Sequence, residues 1–452
     1  MKRQRCKVFL VSLLLLAMLF GCAAPAAVPE AATPEAELQE ATASLTAEPT
    51  DAVTQPDPLG TAVREDSDAV NAAYAKQYFD IVFSETVTQQ EFVTALERVQ
   101  HVQSTVTLAA TDAAAALQGH GAVSLAVAGA GLAELAAVYT QEKIDATLQG
   151  LEVEGTVAAD FACALDTGLV NRERAQVLAK NEAVDAALAT RLLMAVATHN
   201  GTARNMMGYT DDPETYARIM NMWNTIMAAN DPASLCEDET LVNVGVQILM
   251  EGVATGFNIV DISRDGRFLP ELTINYFHDD IRHLRQVIGL LNSEGIVCKV
   301  QVNPEFSVYQ YLPEWDDDEP TPTYKVVQMA EDFYVVNTIG YFMELEFANA
   351  EDRLAFDALI KEVAKKNSGE EGKALLYNSW WQPTYESYVE VDDTYYEVYD
   401  QTIAHGTYLM RIGTLTDILA PLQELAGEDC TVAQGKYWIN DAYWRYMNGE
   451  DQ

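Results

Sequence analysis

Two stretches hold residue types that could do chemistry. The first is His278, Asp279, Asp280 and His283. If a helix begins at 279, Asp279 and His283 lie four apart on one face with His278 just ahead, and a divalent metal could gather His278, Asp279 and His283. The metalloprotease arrangement, two histidines four apart with a glutamate between them, is absent, and helix-capping acids beside a part-exposed histidine would use the same residues. The second is aromatic. Trp315, which leads into Asp316, Asp317, Asp318 and Glu319, together with Trp380, Trp381, Tyr385 and Tyr388, forms a candidate glycan- or peptide-binding platform. Flat rings stack on the apolar faces of sugars while tyrosine hydroxyls take polar edges. The same spacing also serves cross-strand core pairs. The four acids after Trp315 lack the alternating ligands and mid-loop glycine of a calcium loop. Asp211, Asp212 and Glu214 flank Pro213 as caps of a helix start. With no nucleophile elbow, phosphate loop, dinucleotide fingerprint or zinc-protease motif, no catalytic residue and no cofactor is nominated.

The elements that must position these residues change character along the chain. Residues 70–230 are alanine-rich and helical in spacing: Phe92, Ala95, Leu96 and Val99; Leu132, Leu135 and Val138; Leu188, Leu192 and Met194 to Val196. Beyond residue 231, aromatics become dense and strands take turns with helices. Residues 272–277 read as a strand, 279–292 as a helix with Ile281, Leu284, Ile288 and Leu291 on one face, and 296–302 as a second strand after Gly295. Strands at 324–329 and 333–347, a helix at 351–366 capped by Asn349, and a strand at 374–380 repeat the set. The expected fold class is therefore α+β: an N-terminal all-helical domain followed by a mixed α/β domain built from β-α-β units.

Charge narrows the partners. The chain has 68 acidic and 28 basic residues, a formal charge of −40, with 49% hydrophobic residues to build cores. Such a surface is repelled by nucleic acid, which argues against it as a partner. Cys163, Cys236, Cys298 and Cys430 are scattered without metal-ligand spacing. They allow three disulfide pairings that spacing does not rank, or serve as small buried apolar residues.

Lys2, Arg3, Arg5 and Lys7 precede an apolar run at 8–19 that is too short to span a bilayer, as in an export signal. Its close, Leu19, Phe20, Gly21 and Cys22, resembles the lipobox of bacterial lipoproteins, with Phe20 the one departure. That resemblance implies cleavage after residue 21 and a diacylglycerol thioether on Cys22, anchoring the chain to the extracytoplasmic face of the cell membrane. Cleavage removes four bases and no acids, leaving a charge near −44. Residues 22–69, with six prolines and no aromatic residue, read as a disordered tether with a reach of roughly 35 Å.

Helix starts at Thr88, Thr140 and Asp185 in three similar segments, with Glu91 completing a capping box and Gly168, Leu169 and Val170 closing another helix, resemble S-layer homology repeats. In that family three repeats pack into a helical module that binds cell-wall polysaccharide through an arginine. Gln89, Gln141 and Ala186 stand at that position here, so the geometry is expected without the cation. The run from 272 to Trp315, with Trp380 and Trp381, also resembles uncharacterised lipoproteins of clostridia-like bacteria, which carries no activity with it. The resulting reading has four parts: signal 1–21, tether 22–69, a helical S-layer-homology-like domain at 70–230 and an α+β domain at 231–452. Its function is that of a membrane-anchored, non-enzymatic binding or envelope-interaction protein whose partner is wall polysaccharide or an envelope protein. The alternative is a cell-envelope hydrolase of glycan or peptidoglycan that works through carboxylates of the C-terminal domain.

Overall fold

The computed structural model describes residue 64 and residues 66–229, 236–278, 280–311, 323–363 and 384–448. The described residues from Ser67 onward belong to a single compact unit. Its first part is helical: α1 (Asp68–Phe79), α2 (Gln89–Arg98), α3 (Gly119–Gly129), α4 (Ala133–Ala137), α5 (Gln141–Thr147), α6 (Val157–Asp166), α7 (Arg172–Ala179) and α8 (Ala186–His199). Polar caps start most of them. Thr88 and Glu91 form a reciprocal capping box on α2, and Thr140, Asn171 and Asp185 cap α5, α7 and α8.

Three extended segments meet at a hub. The Leu117 N–H donates to the Val87 carbonyl and the Val184 N–H to the Leu117 carbonyl, each at 2.8 Å, and all three side chains are buried. The middle segment of this hub is residues 116–118, ahead of α3; the similar-looking segment at Thr140 starts α5 and makes none of the three bridges. Leu132, Leu135 and Val138 do not form a buried helical face. Gly131, at φ +70°, breaks the helix there, α4 has five residues, and Val138 is 72% exposed.

The remaining elements are β1 (Gly208–Tyr209), α9 (Pro213–Ala229), α10 (Glu239–Met250), β2 (Gly256–Asp261), β3 (Thr273–His278), α11 (Ile281–Ser293), β4 (Cys298–Gln310), β5 (Tyr324–Ala330), β6 (Phe333–Phe347), α12 (Ala350–Val363), β7 (Thr384–Ser387), β8 (Tyr396–His405), β9 (Tyr408–Thr414), α13 (Leu419–Ala426), β10 (Thr431–Ile439) and α14 (Asp441–Met447). Eight strands close a circuit in the order β4-β2-β9-β8-β10-β7-β3-β6, with β6 pairing back onto β4 through thirteen registered residues. β1 and β5 extend β4 and β6. Every pairing is antiparallel.

This closed antiparallel barrel overturns the expected α+β class with a mixed α/β domain of β-α-β units. α11 does connect β3 to β4, but β6 lies between them and pairs antiparallel with both. In the same way β3 separates β6 from β7, the strands on either side of α12. The intervening strand comes later in the chain in the first case and earlier in the second, and each leaves the crossover's two strands with an antiparallel neighbour between them. The strand expected at 374–380 lies outside the described residues.

Alternation along the strands sorts side chains between the helices outside and the lumen inside. Ile274, Tyr276, Val300, Val302, Met343 and Leu345 face outward and pack against Ile219 and Trp223 of α9, Leu284 and Ile288 of α11 and Phe356 of α12. On the other side Phe257, Ile259, Met410 and Ile412 pack against Leu241 and Ile248 of α10 and Leu422 of α13. Gly245 lets α10 approach this closely, because a Cβ there would lie 2.4 Å from the Phe257 ring. Cys298 is buried on the same outward face as Val300, and Cys163, Cys236, Cys298 and Cys430 are unbridged thiols.

Candidate functional site: a charged barrel lumen

The positions between those outward residues are mostly polar, and they fill the lumen. On β4 they are Lys299, Gln301, Asn303 and Glu305; on β6, Phe342, Glu344 and Glu346; on β3, Thr273, Asn275 and Phe277; on β7, Glu386; on β9, Arg411; on β8, Asp400. An eight-stranded barrel has an interior just wide enough to be filled by side chains or to hold one small ligand.

Arg411 is the centre. It reaches across the barrel from β9 to β7, where Nη1 donates to Glu386 Oε1 at 2.9 Å, while Nη2 lies 3.2 Å from Asp400 Oδ2. Its guanidinium lies 5.7 Å from the Phe342 ring and 5.4 Å from the Tyr437 ring. Burial works against its charge, but Glu386 and Asp400 outweigh it and hold Arg411 well above its ordinary range. Burial pushes Glu386 up against the opposing pull of Arg411. Burial likewise pushes Glu305 up to about 7 and Glu344 up to about 8, with Asp265 adding to the second. Neither makes an ion pair among the described residues.

The two ends are covered differently. The loop 262–272 runs over the lumen at the start of β3 and β4. Gly266 N–H donates to Glu344 (2.9 Å) and Leu269 N–H to Glu346 (2.6 Å), while Gln301 and Asn303 donate to the Arg264 and Asp261 carbonyls. Glu346 also takes Lys299 Nζ and Arg204 Nε, each at 2.7 Å, and Arg204 stacks over Tyr74 of α1. The loop's Leu269 and Leu272 pack into the helical core, so one connection serves both parts. At the other end α14 folds back over the lumen. Tyr443 meets Phe277 edge to face, and Trp444 stacks on Tyr396 with ring centres 4.5 Å apart. Gly413 is required here because a Cβ would lie 2.3 Å from the Tyr437 hydroxyl.

The expected site residues separate. Tyr388 belongs to the lumen: burial pushes its hydroxyl up, and the charges of Arg411, Glu386, Asp400 and Glu344 act on it. Yet Tyr388 is 39% exposed, so part of this side chain reaches the surface. Tyr385 faces the other way and is buried between Phe356 and Tyr395. Trp315, Trp380, Trp381 and Asp279 lie outside the described residues, as does Cys22. His278 and His283 are buried against each other beside Tyr341. His278 Nδ1 accepts the Asp280 N–H at 2.9 Å, which leaves Nε2 to donate to His283 Nδ1 at 2.8 Å. Among the described residues no group of three His, Cys, Asp or Glu side chains is placed to hold a metal ion. Asp280 instead caps α11, and Asp212 takes the Glu214 N–H at the start of α9.

In the helical part, Gln89 spends its side-chain oxygen on the Thr111 and Asp112 N–H groups, and Gln141 bonds Asp145. A groove of about 330 Å³ runs beside α2, lined by Val82, Phe83, Gln90, Thr94 and Arg98 among others. No family model, curated protein or solved structure shows significant similarity to the chain.

Reasoning from sequence missed Arg411, Glu305, Glu344 and Glu386. The available signal was an arginine between Met410 and Ile412, and a thirteen-residue strand whose alternate positions are Lys299, Gln301, Asn303 and Glu305. Charged residues on a strand of that length need either water or one another.

Proposed function

We propose that this chain is a lipid-anchored, extracytoplasmic binding protein whose barrel lumen takes a small polar ligand from the side of Tyr388. The helical part faces wall polysaccharide or an envelope protein. The observation that carries the reading is the Arg411 cluster: a charge balanced by Glu386 and Asp400 and edged by aromatic rings, with the partly exposed Tyr388 close to the same charges. Convergent polar groups inside an otherwise apolar shell are what a ligand site needs. The ion pairs bind these groups to one another rather than leaving an acid and a base facing an open cleft, which favours binding over chemistry. The helical groove and the Cys22 lipobox support the envelope role. Among the described residues no helix is long and apolar enough to cross a membrane.

The test is an array of cell-wall fragments, glycans and peptides probed with the full chain in detergent. Capture that is lost in both Tyr388→Ala and Arg411→Met supports the reading; capture unaffected by either variant removes it. The hydrolase reading rests on Glu305 and Glu344, whose protons come off near neutral pH, where a general acid works best. Release of reducing sugars from peptidoglycan by the wild-type chain but not by Glu305→Gln would favour it.

A further inference from the structure

Taking the lumen to be the binding site, we infer that its ligand is a small organic ammonium compound with at least two N–H or O–H donor groups, held by Asn303 with Glu305 and by Asn275 with Glu344.

Three buried side-chain oxygens on β3, β4 and β8 are open acceptors among the described residues. Asn275 is fully buried and Asn303 is 3% exposed; each uses its amide nitrogen, on Glu386 and on the Asp261 carbonyl, while each side-chain oxygen accepts no hydrogen bond among the described residues. Asp400 Oδ1 likewise accepts none. A buried amide oxygen left open is destabilising, and a donor-bearing ligand relieves that cost. An anion would face the same oxygens and be repelled.

The formal charges agree. Glu305, Glu344, Glu346, Glu386 and Asp400 share the lumen and its mouth with Arg204, Lys299 and Arg411. All three cations are engaged by Glu346, Glu386 and Asp400, leaving Glu305 and Glu344 without a partner cation among the described residues. Near neutral pH a proton sits on Glu344 and partly on Glu305, and a bound ammonium ion would displace it.

The spacing gives two stations. Asn303 and Glu305 sit two residues apart on one face of β4, about 7 Å along the strand. Asn275 and Glu344 stand directly opposite each other on β3 and β6, about 5 Å apart. The carboxyls are too dispersed for one metal ion, in keeping with the lack of a three-ligand group among the described residues. Phe342 and Phe277, stacked edge to face at 4.8 Å, supply ring surface that an alkylammonium chain can lie against.

The test is calorimetric titration of the full chain in detergent at 150 mM salt with putrescine, alongside uncharged 1,4-butanediol and anionic succinate. The salt suppresses loose association of a diamine with so acidic a surface. The expected result is one saturable putrescine site, at least tenfold tighter than butanediol, as loss of a charged hydrogen bond implies. Protons should be released on binding, seen as a heat that depends on buffer ionisation. Glu305→Gln and Asn275→Leu should each weaken putrescine tenfold or more while the tryptophan-monitored unfolding midpoint confirms a folded barrel. Binding unchanged in both variants means surface association only and overturns the inference. So does butanediol or succinate binding as tightly as putrescine, or a neutral glycan from the array binding in a Tyr388-dependent way while putrescine does not; in these cases the lumen reading stands. If no compound of any class binds the folded chain, both fall.

Discussion

Replacing Glu344 with glutamine tests the lumen electrostatics directly. Burial raises this carboxyl from 4.5 to about 8, so the folded state holds a proton that the unfolded chain releases much earlier. The resulting stability is complete below pH 4.5 and is lost as pH rises through 8. At about 1.4 kcal/mol per unit, the change spans on the order of 3–5 kcal/mol. Glutamine keeps an oxygen for the Gly266 N–H but has no proton to lose. The wild-type chain should therefore lose stability between pH 5 and pH 8.5, and Glu344→Gln should lose several kcal/mol less. Tryptophan fluorescence during urea unfolding is the assay, since all six tryptophans lie beyond residue 220 and report on the barrel part. With a urea dependence of about 1–3 kcal/mol per molar, the difference between the two proteins should exceed about 1 M in midpoint at the alkaline end. A wild-type midpoint that does not fall with pH, or a variant that falls in parallel, refutes the argument that Glu344 is kept protonated by burial.

Arg411→Met strands Glu386 and Asp400 and should cost about 3–5 kcal/mol by the same urea assay, part of which adding Glu386→Gln restores. Thr88→Ala removes the capping box of α2 and should cost about 1–2 kcal/mol, read as a lower midpoint by circular dichroism at 222 nm. Gly119→Ala places a Cβ 2.2 Å from the Leu178 carbonyl oxygen and should lower that same midpoint. Cys22→Ser should move the protein from the membrane pellet to the soluble fraction of fractionated cells, detected by immunoblot.

Three of the circuit's eight strands, β3, β4 and β6, were legible in the sequence; β2, β7, β8, β9, β10 and the closure were not. The strand at 333–347 coincides with β6, and the strand and helix read at 272–277 and 279–292 correspond to β3 and α11 within about two residues. What failed was adjacency. Nothing in residues 273–310 shows that β6, arriving more than twenty residues later, pairs between β3 and β4. The site was hidden by the same fact. Alternation on β4 predicts one apolar and one polar face, and the polar face of an open sheet looks outward to water. Closing the sheet turns Lys299, Gln301, Asn303 and Glu305 into interior residues without altering the pattern. His278 and His283 were found together because a helix start fixes them locally; Arg411 and Glu386 meet only across a lumen.

The 262–272 connection makes the two ends of the molecule mechanically continuous. Its leucines are fastened among the helices and its amides to carboxyls inside the barrel, so it acts as a tie-rod between an outward-facing layer and an enclosed chamber. A change of charge at Glu344 is therefore passed to the Gly266 amide, and from there along a short connection to leucines anchored in the helical core.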